Sequence, residues 1–173
     1  TLLYTLSLHD ALPISQYELW KGIWSSIESR NFFELDHALG RHNEFSDAFT
    51  PMTFVGNHDV TRIASRVGQD GAVLATAILA TIGGIPLIYY GDELAYRGVK
   101  EERFGGDDDI RPVFPASPAD LSNLGADTLR AHQSLLGLRR RHPWLVDART
   151  ESLDLTNERS EEHTSELQSQ GDI

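Results

Sequence analysis

Two short apolar runs, each breaking open into carboxylates, constrain this chain more than any other feature. The first is Phe54-Val55-Gly56-Asn57-His58-Asp59. The second, about 25 residues on, is Ile85-Pro86-Leu87-Ile88-Tyr89-Tyr90 followed by Gly91-Asp92-Glu93. Between them, Asp70 to Ile82 consists of Ala, Val, Leu, Ile and Thr with few charges, which predicts a helix buried on a wide face and stopped by Gly83-Gly84. Ile85 to Tyr90 lacks polar alternation, as expected of a strand covered on both faces. Pro86 near its start removes one ladder donor where that is tolerated. Strand, helix and strand in this order predict successive βα units of a parallel α/β barrel, in which chemistry collects beyond the strand C-termini.

The flanking sequence supplies more helices. Leu19, Trp20, Ile23, Trp24 and Ile27 fall on one face of an amphipathic helix ended by Asn31. Leu35, Ala38, Leu39, His42, Phe45 and Phe49 continue a helical stripe until Pro51, and Met52 to Val55 reads as a strand. His37 and His42 are not at the i, i+4 spacing of paired helical ligands, so both read as structural or solvated. Leu94 to Asn123 is long for a connection and rich in charge from Lys100 to Asp109, the kind of loop that is often functional. Asp127 is expected to cap a helix through Arg141, with Leu129, Leu136 and Leu138 on its apolar side and His142-Pro143 ending it. Arg139-Arg140-Arg141 suits that helix's C-terminal dipole and is assigned no ligand. Leu153 and Leu155 alternate with polar residues and are read as the start of a strand in a following β domain.

Composition narrows the partners. A formal net charge of -11 disfavours nucleic acid, and no apolar run is long enough to span a membrane. With no cysteine there are no disulfides and no thiolate metal sites. No secretory signal is visible, which favours a cytoplasmic location without fixing it, and the oligomeric state is left open.

The two ends do not read like the rest. Tyr4 to Ile14 and Arg159 to Ser169 each resemble the conceptual translation of sequencing-adapter DNA, so residues 1–14 and 159–173 are set aside from the fold as adapter-like artefact. The expected organisation is then a partial catalytic barrel over residues 15–146 and the start of a small β domain over residues 147–158. The adapter-like ends are expected to pack poorly against the remainder.

Asn57, His58 and Asp59 place an amide, an imidazole and a carboxylate on adjacent residues at a strand end. Glycoside hydrolysis needs carboxylates around an oxocarbenium-like transition state, and an imidazole can help hold the sugar ring. On the tripeptide alone, the plainer account makes Asp59 a helix N-cap and His58 a surface histidine. The longer motifs change that balance. Phe54 to Asp59 resembles the seventh-strand motif of the α-amylase family of glycoside hydrolases. Gly84 to Glu93 resembles that family's eighth strand, at the expected separation, and Gln16 to Lys21 is similar to the region of the sixth strand and its helix.

The resemblance implies the C-terminal portion, about strands six to eight, of a (β/α)8 TIM barrel, incomplete in this chain. It implies a retaining enzyme acting on α-glucosidic bonds of α-glucans or maltooligosaccharides, of α-amylase or α-glucosidase type, with no cofactor and no catalytic metal. Asp59 matches the family's third catalytic carboxylate, which stabilises the transition state through the sugar hydroxyls. His58 matches the histidine that hydrogen-bonds the same hydroxyls, and Asn57 is its structural neighbour. Gly56 stands where the family often has Asp. Asp92 and Glu93 match a turn of mostly structural role.

Arg111 lies with Asp107, Asp108 and Asp109 where family loops rim the sugar site, and is expected to pair with a carboxylate or a sugar hydroxyl. A solvated acidic loop is an equal reading of that run, and its three consecutive acids do not match a spaced calcium loop. The segments that carry the family's nucleophile and acid/base are not matched by any residue here, so the chain by itself is expected to be inactive. A transglycosidase or isomerase on the same scaffold, trehalose synthase-like, and a non-catalytic carbohydrate-binding remnant are the alternatives.

Overall fold

The computed structural model describes residues 16–121 and 123–155. The adapter-like ends, with the expectation of their poor packing, lie outside the described residues. Helix α1 spans Tyr17–Ser29 and α2 spans Phe33–Ala48. The apolar face read from the sequence is the one α1 buries: Leu19 and Ile23 pack with Leu35 and Ala38 of α2 in the main core. Each leucine or isoleucine side chain removed from water contributes about 1.5–3 kcal/mol. Gly22 lets the helices close, since a Cβ there would lie 3.0 Å from that of Ala38. Arg30 ends α1 in the left-handed region, and the Asn31 N–H reaches back to the Ser26 carbonyl at 3.2 Å. Trp20 and Trp24 are half-buried, and the Arg66 guanidinium lies 4.0 Å from the Trp24 ring centroid.

Strands β1 (Met52–Phe54) and β2 (Ile85–Leu87) pair in parallel, with Met52 opposite Ile85 and Phe54 opposite Leu87. Helix α3 (Ile63–Thr81) makes the crossover, as parallel pairing requires. It begins earlier than the Asp70 start expected from composition. Gly68, at φ 75° and ψ 179°, breaks the helical path inside it, a conformation that glycine adopts without a Cβ clash. Ala72, Ala75 and Leu79 then bring α3 against the core, with Val55 of the strand end buried beneath.

The second strand departs from expectation more sharply. It stops at Leu87 rather than Tyr90, and Ile85 and Leu87, on one face, are 51% and 38% exposed. Among the described residues β2 pairs with β1 alone, and that face meets solvent instead of a covering layer.

Helix α4 (Ala126–Arg141) packs on α3, and His142-Pro143 does end it. Its N-cap is Gly125, not Asp127; the Asp127 carboxylate instead pairs with Arg130 one turn on. Its buried residues are also not the expected leucines, which are half-buried, but Thr128, His132 and Arg139. His132 bridges to Thr76 Oγ1 at 3.2 Å and to the Thr128 carbonyl at 3.0 Å. Arg139 does more than complement the helix dipole. It donates to the carbonyls of Ala80 (3.1 Å), Ile82 (2.7 Å) and Gly84, tying the end of α3 and the start of β2 together. The last carbonyls of a helix lack internal partners, and a buried guanidinium meets that need.

His42 is likewise structural: fully buried, with Nε2 3.2 Å from the Gly83 carbonyl, and its pKa lowered by burial. His37 is exposed beside Glu18. Residues 151–155 form no strand, and Leu153 is 92% exposed, so the expected β start is not met within the described residues. No described helix is long and apolar enough to cross a membrane.

Candidate functional site at the strand ends

Because β1 and β2 run parallel in register, residues 55–62 and 88–94 emerge at the same end. The long loop after β2 folds back over them through short 3-10 turns at Asp92–Leu94 and Asp108–Ile110. Val55 and Gly56 are buried, and the chain then turns outward. Asn57 makes the turn itself: its Oδ1 accepts the Asp59 N–H at 2.8 Å, while its Nδ2 donates to the Tyr17 hydroxyl at 3.0 Å. Asp59 is therefore presented by a closed local turn anchored to α1, and it caps no helix.

The four residues singled out from the sequence come together. Asp59 Oδ2 lies 3.3 Å from His58 Nε2, and Asp59 Oδ1 accepts from Arg111 Nη2 at 3.3 Å. Arg111 also donates through Nε to the His58 carbonyl (2.9 Å) and through Nη2 to Asp107 Oδ2 (2.7 Å). Asp107 further faces Lys100 at 3.8 Å. Of the acidic run, Asp107 is thus paired with two cations of its own loop, and among the described residues no group of three or more His, Asp or Glu is placed to hold a metal ion. Asp59 opens on a cleft of about 300 Å³ lined also by Trp20, Thr61, Arg66, Lys100 and Glu102. A half-exposed carboxylate, flanked by an imidazole and a guanidinium and facing a cleft, can offer negative charge and hydrogen-bond acceptors to a polyhydroxylated ligand.

Directly behind lies a second charged pair that the sequence did not disclose. Arg62 and Asp92 are buried, with Arg62 Nη1 3.1 Å from Asp92 Oδ1. Arg62 stacks over Tyr89, 4.3 Å from its centroid. Burial pushes the Asp92 carboxyl up to about 6, against the opposing pull of Arg62. The other carboxylate oxygen, Oδ2, occupies the space above Gly56: a Cβ there would stand 2.1 Å from it. That contact explains locally why residue 56 carries no side chain in this chain. No sequence spacing marks such a pair, because its members lie on different βα units, although an apolar strand ending in Asp92 did flag the turn.

Comparison with known proteins follows this geometry. Residues 12–166 match the family described as alpha amylase, catalytic domain. The chain is 43% identical over 80 residues to a 4-alpha-glucanotransferase of Thermotoga neapolitana, covering 44% of this chain and 18% of that protein. It is 32% identical over 130 residues to an alpha-amylase of Streptomyces lividans, covering 59% of this chain and 14% of that protein. It therefore spans less than a fifth of the length of these curated relatives. The crystal structure of AmyP in complex with maltose superposes at a TM-score of 0.69 with 16% identity, covering 83% of this chain and 35% of that one. At that identity the likeness speaks to the fold: an amylase-type barrel enzyme, of which this chain matches part.

Proposed function

The chain belongs to the alpha-amylase catalytic-domain family, and from that membership we propose that it is the strand-six-to-eight portion of a retaining glycoside hydrolase acting on α-glucosidic bonds of α-glucans or maltooligosaccharides. The observation that carries this reading is the convergence of His58 and Arg111 on Asp59 at the C-terminal end of β1, where Asp59 lines a cleft. At such a strand end the family fold assembles its chemistry.

In this reading Asp59 is neither nucleophile nor proton donor. Its negative charge faces the positive charge that develops on the sugar as the glycosidic bond breaks, and its oxygens accept from ring hydroxyls. His58 donates to the same hydroxyls. Arg111 holds one oxygen of Asp59 and the His58 carbonyl, so that the turn meets the sugar in one orientation. Asn57 supports the turn through Tyr17. The nucleophile and the acid/base belong to segments that these residues do not match.

The second reading is glycosyl transfer on the same scaffold, favoured by the likeness to a 4-alpha-glucanotransferase. The two differ in whether water or a sugar hydroxyl attacks. Incubating the intact enzyme that carries this chain with maltotriose separates them. Hydrolysis raises the number of reducing ends, whereas transfer yields longer and shorter oligosaccharides at a constant number. No change in any α-glucan or maltooligosaccharide would contradict both.

A further inference from the structure

We propose that Arg62 is a positioning residue for Asp59, acting at a distance through Ile110 and Arg111; the proposal rests on the reading of Asp59 given above. Arg62 is 0% exposed, so it touches neither cleft nor substrate. It lies three residues after Asp59, and its contacts reach every segment that meets at the strand ends. The backbone N–H donates to the Gly98 carbonyl at 3.0 Å. Nε donates to the Ile110 carbonyl at 3.1 Å, and Nη1 to the Tyr90 carbonyl at 2.5 Å and to Asp92 Oδ1 at 3.1 Å.

Ile110 is the decisive partner. The next residue is Arg111, whose guanidinium grips Asp59 Oδ1 and the His58 carbonyl. No regular helix or strand carries Arg111; it follows the single 3-10 turn Asp108–Ile110. Its backbone is fixed from the inside by the buried Ile110 side chain and by the Arg62 Nε bond to the Ile110 carbonyl. A loop of this kind is held only as firmly as its anchors, and a catalytic group misplaced by about 1 Å can lose on the order of 100-fold in rate. The chain of contact therefore leaves Asp59 along the backbone, returns through Arg62 and Ile110, and closes on Asp59 through Arg111.

Arginine is required by geometry rather than by charge. The fork of a guanidinium can reach Ile110, Tyr90 and Asp92 at once, whereas the single ammonium of lysine cannot. Arg62→Lys keeps the buried cation opposite Asp92 and removes the shorter of the two hydrogen bonds to the Ile110 carbonyl, leaving the Tyr89 hydroxyl at 3.5 Å.

The test is a double-mutant cycle on kcat/KM for maltotriose in the intact enzyme, with Arg62→Lys, Arg111→Ala and both together. It is accompanied by the side-chain Nε–H NMR signal of Arg111, which needs no turnover. Each single variant is expected to lose about tenfold and the double variant no more than the worse single one, since both break the same path. In Arg62→Lys the Arg111 Nε–H signal is expected to broaden or collapse to that of a free side chain. Losses that multiply to about 100-fold in the double variant, or an Arg111 signal unchanged in Arg62→Lys, would overturn the proposal. A merely structural Arg62 would lower the unfolding midpoint and leave the losses multiplicative. If Arg62→Lys gives no cooperative unfolding transition, Arg62→Gln goes through the same two readouts. Inactivity of the parent enzyme on α-glucans would instead refute the function of Asp59, and the NMR readout would still decide the role of Arg62.

Discussion

Asp59 and Asp92 follow neighbouring parallel strands, yet Asp59 keeps 47% of its side chain in solvent and Asp92 only 2%. Their nearest cations differ in kind as well. Arg111 reaches Asp59 from a surface loop and shares itself with Asp107, whereas Arg62 meets Asp92 inside the protein, stacked on Tyr89. An exposed pair in high dielectric contributes little to stability, typically about 0–1 kcal/mol, so Asp59 is poorly explained as a structural residue. A buried pair is costly to break, because the remaining charge is left uncompensated. One strand end therefore presents charge outward and the other invests it in the architecture that holds the first. This division of labour can be attacked from either side.

The largest effect is expected at Asp59. In the intact enzyme, Asp59→Asn keeps the shape and the Asn57 turn but removes the charge, and turnover on maltooligosaccharides should fall by roughly 1000-fold or more with the urea midpoint unchanged. A large loss of stability with modest loss of turnover would exchange the roles of the two carboxylates. At Asp92 the expected effect is on stability and its pH dependence. Its folded pKa is about 6 against an ordinary 3.8, so the folded state holds the proton more tightly. The stabilising contribution is full below about pH 4 and is lost as pH rises through about 6, a change on the order of 2–3 kcal/mol. Urea titrations across this window should show that slope, and Asp92→Asn should flatten it.

Gly56→Ala comes next. Its Cβ would stand 2.1 Å from Asp92 Oδ2, and overpacking of this kind costs about 2 kcal/mol. In an Asp92→Ala background most of that cost should vanish; an equal cost in both backgrounds would show that another neighbour sets it. His58→Asn is the mildest change. It removes one exposed hydrogen bonder, and kcat/KM should drop about tenfold with little change in stability.

The sequence was most legible where pattern and local chemistry coincide. The apolar faces of α1 and α3, the strand at Met52 and the proximity of Asn57, His58 and Asp59 all follow from spacing along the chain. Arg111 could be named a partner because the family resemblance puts its loop at the rim of the sugar site. Illegible were interactions set by tertiary approach. Arg139 reads as a charge suited to the helix dipole until the carbonyls of Ala80 and Ile82 appear beside it. Arg62 reads as an ordinary residue after a motif, and its partners lie 28 to 48 positions away. The strand after Gly84 looked doubly covered because its residues are apolar, but cover is supplied by other elements and not by the strand itself. Helix starts were displaced for a similar reason: Gly68 lets α3 begin before its apolar run, and Gly125 rather than a side-chain acceptor precedes α4.

The claim that this chain contributes a stabilising carboxylate, and neither of the groups that exchange bonds and protons with the sugar, can be tested by trapping. A retaining enzyme forms a covalent glycosyl intermediate on its nucleophile, and a slow fluorinated α-glucosyl substrate makes that intermediate long-lived enough for peptide mapping. Applied to the intact enzyme, the label is expected on a carboxylate outside residues 16–155, with Asp59 unmodified and Asp59→Asn slowing its formation. A label on Asp59, or on any other carboxylate of this chain, would contradict the account.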